Sequence, residues 1–150
     1  MTDRAVSSTL GYVLTLSIAA LLVGGLLSAG AGFVTTQRDV VIEEEMKVVG
    51  QQLCTNVEQA DRLVNASNAS SGGDPVIQVN QTFPDTVARS QYDVRLDPDT
   101  SQLVLKSTRP KQTVRINVTT QTDLGESTAS GGEITVRYDS SADELVIEDA

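Results

Sequence analysis

The order of apolar and polar positions divides the chain into three stretches of different period. From Leu10 to Val34 about 25 residues of Leu, Val, Ala, Gly and Ile, with a few hydroxyls, follow one another without a charge. Apolar residues would surround the whole circumference of a helix here, unlike the single stripe of a soluble domain. At about 1.5 Å rise per residue, such a helix spans a hydrocarbon core of about 30 Å. After Val34 the period becomes that of an amphipathic helix. Ile42, Met46, Val49, Leu53, Val57, Ala60 and Val64 recur at steps of three or four. Glu43, Glu44, Glu45, Lys47, Gln51, Glu58 and Asp61 are placed on the other faces. No Pro precedes Pro75, so one nearly continuous helix is expected from about Ser8 to Val64. Gly50 is its one weak position in the amphipathic part, costing about 1 kcal/mol relative to Ala.

Asn65 to Asp74, rich in Asn, Ser and Gly, reads as a linker that ends the helix. From Pro75 the period falls to two. Expected strands are Val76–Val79, Tyr92–Leu96, Leu103–Lys106, Thr113–Thr119, Glu133–Tyr138 and Leu145–Ile147. Asp97–Ser101 and Asp139–Glu144 are turns, and Gly125 to Gly132 is a polar loop. The fold class is therefore α+β, a long N-terminal transmembrane and amphipathic helix packed on a small antiparallel β-sheet head. A head of about 75 residues with few aromatics has a thin core. Docking of Ile42–Val64 across one sheet face would make helix and head one folding unit.

Composition narrows the chemistry. With 20 Asp+Glu against 11 Lys+Arg the net charge is -9, which argues against a nucleic-acid partner. The absence of His removes imidazole catalysis, and one Cys removes an intrachain disulfide and a thiolate metal cluster. No nucleophile elbow, phosphate loop or CxxC occurs, so no enzyme, cofactor or metal site is expected. Asp97-Pro98-Asp99 lacks the Gly and closing Glu of a calcium loop and reads as a turn. Asp139, Asp143, Glu144, Glu148 and Asp149 read as a solvated face. Cys54 reads as a small, partly buried apolar residue, with an interchain disulfide as the alternative. Gly24–Ser28 and Ser28–Gly32 are either a helix-packing motif or tolerated small residues. Asn65, Asn68, Asn80 and Asn117 head N-x-Ser/Thr sequons and are glycosylation candidates if this half is exported, with Asn65 and Asn68 expected to be the best exposed. The acidity, with Arg favoured over Lys, is compatible with a halophilic archaeon.

The N-terminal junction carries a resemblance. Asp3-Arg4-Ala5-Val6-Ser7 resembles the processing site of archaeal type IV prepilins, in which a basic and then a small residue precede the cut. Val6-Ser7-Ser8-Thr9-Leu10-Gly11-Tyr12-Val13-Leu14 is similar to the start of the mature family members. Val6, Ser7, Gly11, Val13 and Leu14 match, whereas Ser8 stands where Pro is usual and Thr9 where Val is usual. The resemblance covers roughly the first 35 residues. It implies that a prepilin peptidase acts at Arg4, Ala5 and Val6, cutting between Ala5 and Val6. It implies a leader at 1–5 and a retained transmembrane helix at 6–34, while the periods read above place an amphipathic continuation at 35–64, a linker at 65–74 and a β head at 75–150. It further implies a single-pass membrane protein with a cytoplasmic N-terminus and an extracellular head. Such a protein would be a structural subunit of a pilus-like filament or a related surface or secretion assembly. Its partners would be copies of itself or other pilin-like subunits. Two alternatives stay open: a single-pass anchored surface protein with a β binding domain and no filament, and a secreted β domain released after Ala29-Gly30-Ala31.

Overall fold

In the computed structural model, residues 2–69 and 76–150 are described, and side chains are described from Thr9 onward apart from Thr35. Helix α1 runs Thr2–Asn68, followed by β1 (Gln78–Thr82), β2 (Thr86–Val87), β3 (Ser90–Asp97), β4 (Gln102–Ser107) and β5 (Thr113–Asn117). β6 (Asp123–Leu124), β7 (Ser127–Ser130), β8 (Glu133–Asp139) and β9 (Glu144–Asp149) complete the chain. The arrangement is α+β, a long apolar N-terminal helix and a curled, almost wholly antiparallel β structure like that of type IV pilins. Two compact units divide it, Met1–Arg38 and Asp39–Ala150.

In the second unit the apolar stripe is the helix's contribution to the core. Ile42, Met46, Leu53, Val57 and Ala60 are fully buried, and Val49 and Val64 nearly so. They meet Leu96, Leu103, Leu105, Ile134, Val136, Leu145 and Ile147 in one cluster. Burial of each Val, Leu, Ile or Met side chain contributes about 1.5–3 kcal/mol. A sheet this small therefore draws much of its stability from the helix laid across it.

Instead of one sheet of five or six strands there are two. The first has the order β1-β8-β9-β6 and the second β2-β3-β4-β5. β7 pairs with β3 over Asp93–Leu96, beyond the Ser90–Gln91 stretch that takes β2. It also reaches β9, since Ser127 Oγ accepts the Ile147 N–H at 3.0 Å and Asp149 Oδ1 accepts the Ser130 N–H at 2.7 Å. β7 thus curls one sheet toward the other. It lies in the stretch expected to be a loop, because Ala129 is its sole core residue and gives no period to read. β6 and β9 pair in parallel over two residues, the one departure from the antiparallel pattern.

The first strand is displaced from Val76–Val79 to Gln78–Thr82. Val76 is 90% exposed, and pairing with β8 begins only at Gln78↔Arg137. The helix, in turn, does not stop at Val64. Asn65 to Asn68, expected in the linker, form its last turn. Their polar side chains turn back on the helix: Asn65 Nδ2 donates to Asp61 O at 2.9 Å and Ser67 Oγ to Val64 O at 2.7 Å. These side chains bond carbonyls of the preceding turn, a local arrangement that suits polar residues at a helix end. The remainder of the expected linker from Ser70, with Pro75, lies outside the described residues.

Candidate functional site

The candidate sites among the described residues are surfaces. The first is the apolar stretch of α1. Large side chains from Leu10 to Val34 are exposed all round the helix, from 51% at Ile18 to 77% at Leu21. Gly11, Gly24, Gly25, Gly30 and Gly32 have open space where a Cβ would stand. Hydroxyls in and just after this stretch turn inward to the backbone. Thr15 Oγ1 donates to Gly11 O at 2.9 Å, Ser17 Oγ to Val13 O at 2.8 Å and Thr36 Oγ1 to Gly32 O at 3.2 Å. Hydroxyls used in this way remove the cost of placing a polar group in hydrocarbon. The helix is long and apolar enough to cross a membrane. Arg4, Ala5 and Val6 lie on its first turns, and their side chains are outside the described residues.

The second surface is built where the helix meets the strands. Glu45 Oε2 accepts the Ala88 N–H at 2.7 Å, pinning the β2–β3 turn to the helix. Asp61, placed by the spacing on a face other than that of the apolar stripe, is buried. It lies where the β5–β6 loop crosses the helix, and that loop's N–H groups need acceptors. Its Oδ1 accepts the Thr122 N–H at 2.8 Å and the Gln121 N–H at 3.1 Å, with Asn65 Nδ2 at 3.2 Å. Burial pushes the Asp61 pKa up, but hydrogen bonds from Thr122, Gln121 and Asn65 outweigh it and hold the carboxyl below its ordinary value. Sequence reasoning missed this role because the donors are backbone groups some sixty residues away. The one available sign was that Asp61 directly follows Ala60 of the apolar stripe.

Cys54 is buried beside Leu53, its thiol 3.5 Å from Asn117 O and 3.6 Å from Glu58 Oε1. Burial, with the Glu58 charge and hydrogen bond, pushes the thiol up to about 11, so it is a neutral packed group. Asp97 and Asp99 form a turn in which Asp97 Oδ1 accepts the Asp99 N–H at 3.2 Å. The acidic group near the C-terminus is partly engaged and not simply solvated. Arg137 lies 3.2 Å from Glu148 and 3.7 Å from Asp139, and Tyr138 donates its hydroxyl to Asp143 at 2.7 Å.

The sequons are scattered. Asn65 is half-buried on the last helical turn with its amide held by Asp61, and Asn68 is exposed at the helix end. The expectation that both stand free in a loop is therefore corrected, because the helix extends through them. Asn80 is exposed on β1, where its Oδ1 accepts from Thr135 at 3.2 Å. Asn117 is exposed on β5, where its Oδ1 accepts from Gln102 Nε2 at 2.9 Å.

Residues 1–148 match DUF7266, a family of unknown function. The chain belongs to this family. The match takes in the apolar helix and nearly all of the head, so in DUF7266 the two occur together as one pattern. No curated protein and no solved structure matches the chain.

Proposed function

We propose that this DUF7266 protein is a structural, pilin-like subunit of an archaeal type IV pilus-like filament or a related surface or secretion assembly. Its N-terminal helix inserts in the membrane until assembly. The observation that carries the reading is a contrast along α1. Leu10–Val34 is apolar and exposed around its circumference, whereas Ile42–Val64 buries its apolar stripe under the strands. The large side chains of the first part are exposed among the described residues, and they need lipid or other copies of the chain. The second part holds the head.

Processing then falls between Ala5 and Val6. The small residues from Gly24 to Gly32 let neighbouring helices approach closely once they leave lipid. The head is extracellular, and its function is contact rather than catalysis.

The test is the N-terminus of the membrane-associated protein from its native host, read by mass spectrometry, together with electron microscopy of sheared surface material. A mature chain starting at Val6 and present in filaments is the expected result. An intact Met1 or Thr2, with the protein confined to the membrane, would overturn the filament reading in favour of a single-pass anchor with an exposed β domain. A soluble chain starting at Gly32 would overturn both.

A further inference from the structure

The charges of the head are separated. Between Asp99 and Asp123 the chain has no Asp or Glu, yet it contains Lys106, Arg109, Lys111 and Arg115. In a protein of net charge -9 this run is a local inversion of sign. It forms the β4–β5 hairpin, whose outer strand β5 pairs only with β4. All four cations are exposed, and none of their side chains has an ion-pair or hydrogen-bond partner among the described residues.

The hairpin lies on one flank of the helix, where Gly50 abuts Ile116 of β5 and Leu105 of β4. On the opposite flank, beside the Glu45–Ala88 contact, an open groove of about 450 Å³ runs between the helix and the β1–β2 segment. Glu44 and Glu45 form its acidic rim, Val48 and Val49 its apolar side, and Pro84 and Thr86 the far wall. Val48 is 53% exposed, unusual for a Val on the half of the helix that docks on the head. The groove shares Gln52 with a polar pocket of about 240 Å³ that is also lined by Asn56. Asn56 Nδ2 is buried there without an acceptor among the described residues. One flank therefore offers unpaired cations and the other an acidic, partly apolar trough.

We infer that the groove is the docking site for the β4–β5 hairpin of a second copy of this chain. The inference rests on the filament reading for its setting, and charge complementarity selects the occupant. A surface that receives on one flank and donates on the other makes a heterologous contact, which does not close on a pair and propagates to further copies. Lys and Arg of the hairpin face Glu44 and Glu45. Complementary charge of this kind fixes register and rejects wrong partners.

The experiment uses the full chain in neutral phosphatidylcholine vesicles, in a Cys54→Ala background. One tagged copy carries Thr113→Cys on the hairpin and a differently tagged copy carries Thr86→Cys on the groove wall. Oxidation should join the two unlike copies about tenfold more than either copy to itself. Arg109→Glu with Lys111→Glu in the first copy should remove the cross-link, and Glu44→Lys in the second should restore it. Cross-links between like copies only, or cross-linking that ignores the reversals, would overturn the inference. So would an absent cross-link with the cations instead holding the head to phosphatidylglycerol vesicles. Charge-dependent cross-links in a chain that keeps Met1 would leave this contact standing and remove the filament reading. Filaments of chains starting at Val6 whose cross-linking ignores the charges would do the reverse.

Discussion

Asp61 on the helix and Thr122 in the β5–β6 loop are joined by a hydrogen bond of 2.8 Å between carboxylate and backbone N–H. With the Gln121 N–H on the same carboxylate, this bond ties the C-terminal part of α1 to the loop that links the two sheets. Removing the charge leaves two loop N–H groups with a poorer acceptor. Asp61→Asn is expected to destabilise the head by about 1–3 kcal/mol at pH 7, measured by denaturant unfolding. The folded carboxyl titrates below its ordinary value, so the stabilisation is complete above about pH 4 and is lost as pH falls through the depressed folded value. The gap between wild type and Asp61→Asn should therefore narrow on acidification, and a gap independent of pH would contradict this role.

Gly50 permits a close approach of the helix to β4 and β5. A Cβ there would lie 2.4 Å from Ile116 Cδ1 and 2.9 Å from Leu105 Cδ1. Helix propensity favours Ala by about 1 kcal/mol, while overpacking costs about 1–3 kcal/mol. The clashing atoms are side-chain ends that can shift in part, so Gly50→Ala should be mildly destabilising and Gly50→Leu severely so. Ile116→Val deletes the nearest clashing atom. Combined with Gly50→Ala it should recover most of the loss in a double-mutant cycle.

Cys54 should be inert in the folded chain. With its thiol pushed up to about 11 and buried, alkylation at pH 8 is expected to be slow until denaturant is added. Rapid labelling of the native protein by iodoacetamide, followed by mass spectrometry, would contradict the packing described at Leu53 and Asn117.

The second unit should fold alone. A fragment spanning Asp39–Ala150 retains the whole helical stripe and every strand. It is expected to be soluble and to unfold in one cooperative transition. A fragment starting at Val76 loses Ile42 through Val64 from the core and should remain unfolded by circular dichroism.

The membrane reading has its own test. Leu22 is exposed near the middle of the uncharged stretch. An Arg at the centre of an inserting helix costs about 2.5–3.5 kcal/mol on translocon scales. Leu22→Arg should move protein from the membrane to the soluble fraction on carbonate extraction, whereas Leu22→Ala should not.

Much of this protein was legible in the order of its residues. An uncharged run surrounds a helix whatever its neighbours, so Leu10–Val34 announced its exposure. The three-or-four-residue spacing from Ile42 to Val64 announced its buried face, and each of those side chains is buried. The longer strands were readable for the same local reason, since a period of two repeated over five or more residues leaves little ambiguity. What tertiary structure decided is what depends on groups distant in sequence. β7 exists because β3 and β9 offer it partners, although its own residues read as a loop. Asp61 is buried because a loop sixty residues away brings it N–H donors. Gly50, locally only a weakness in a helix, is a place where a side chain would press on Ile116 and Leu105. The basic run from Lys106 to Arg115 was written in the sequence, but only the fold set it on one flank of the helix and the acidic groove on the other. Periodicity is a local property that a chain carries with it, whereas pairing, approach and complementarity arise only when separate segments meet.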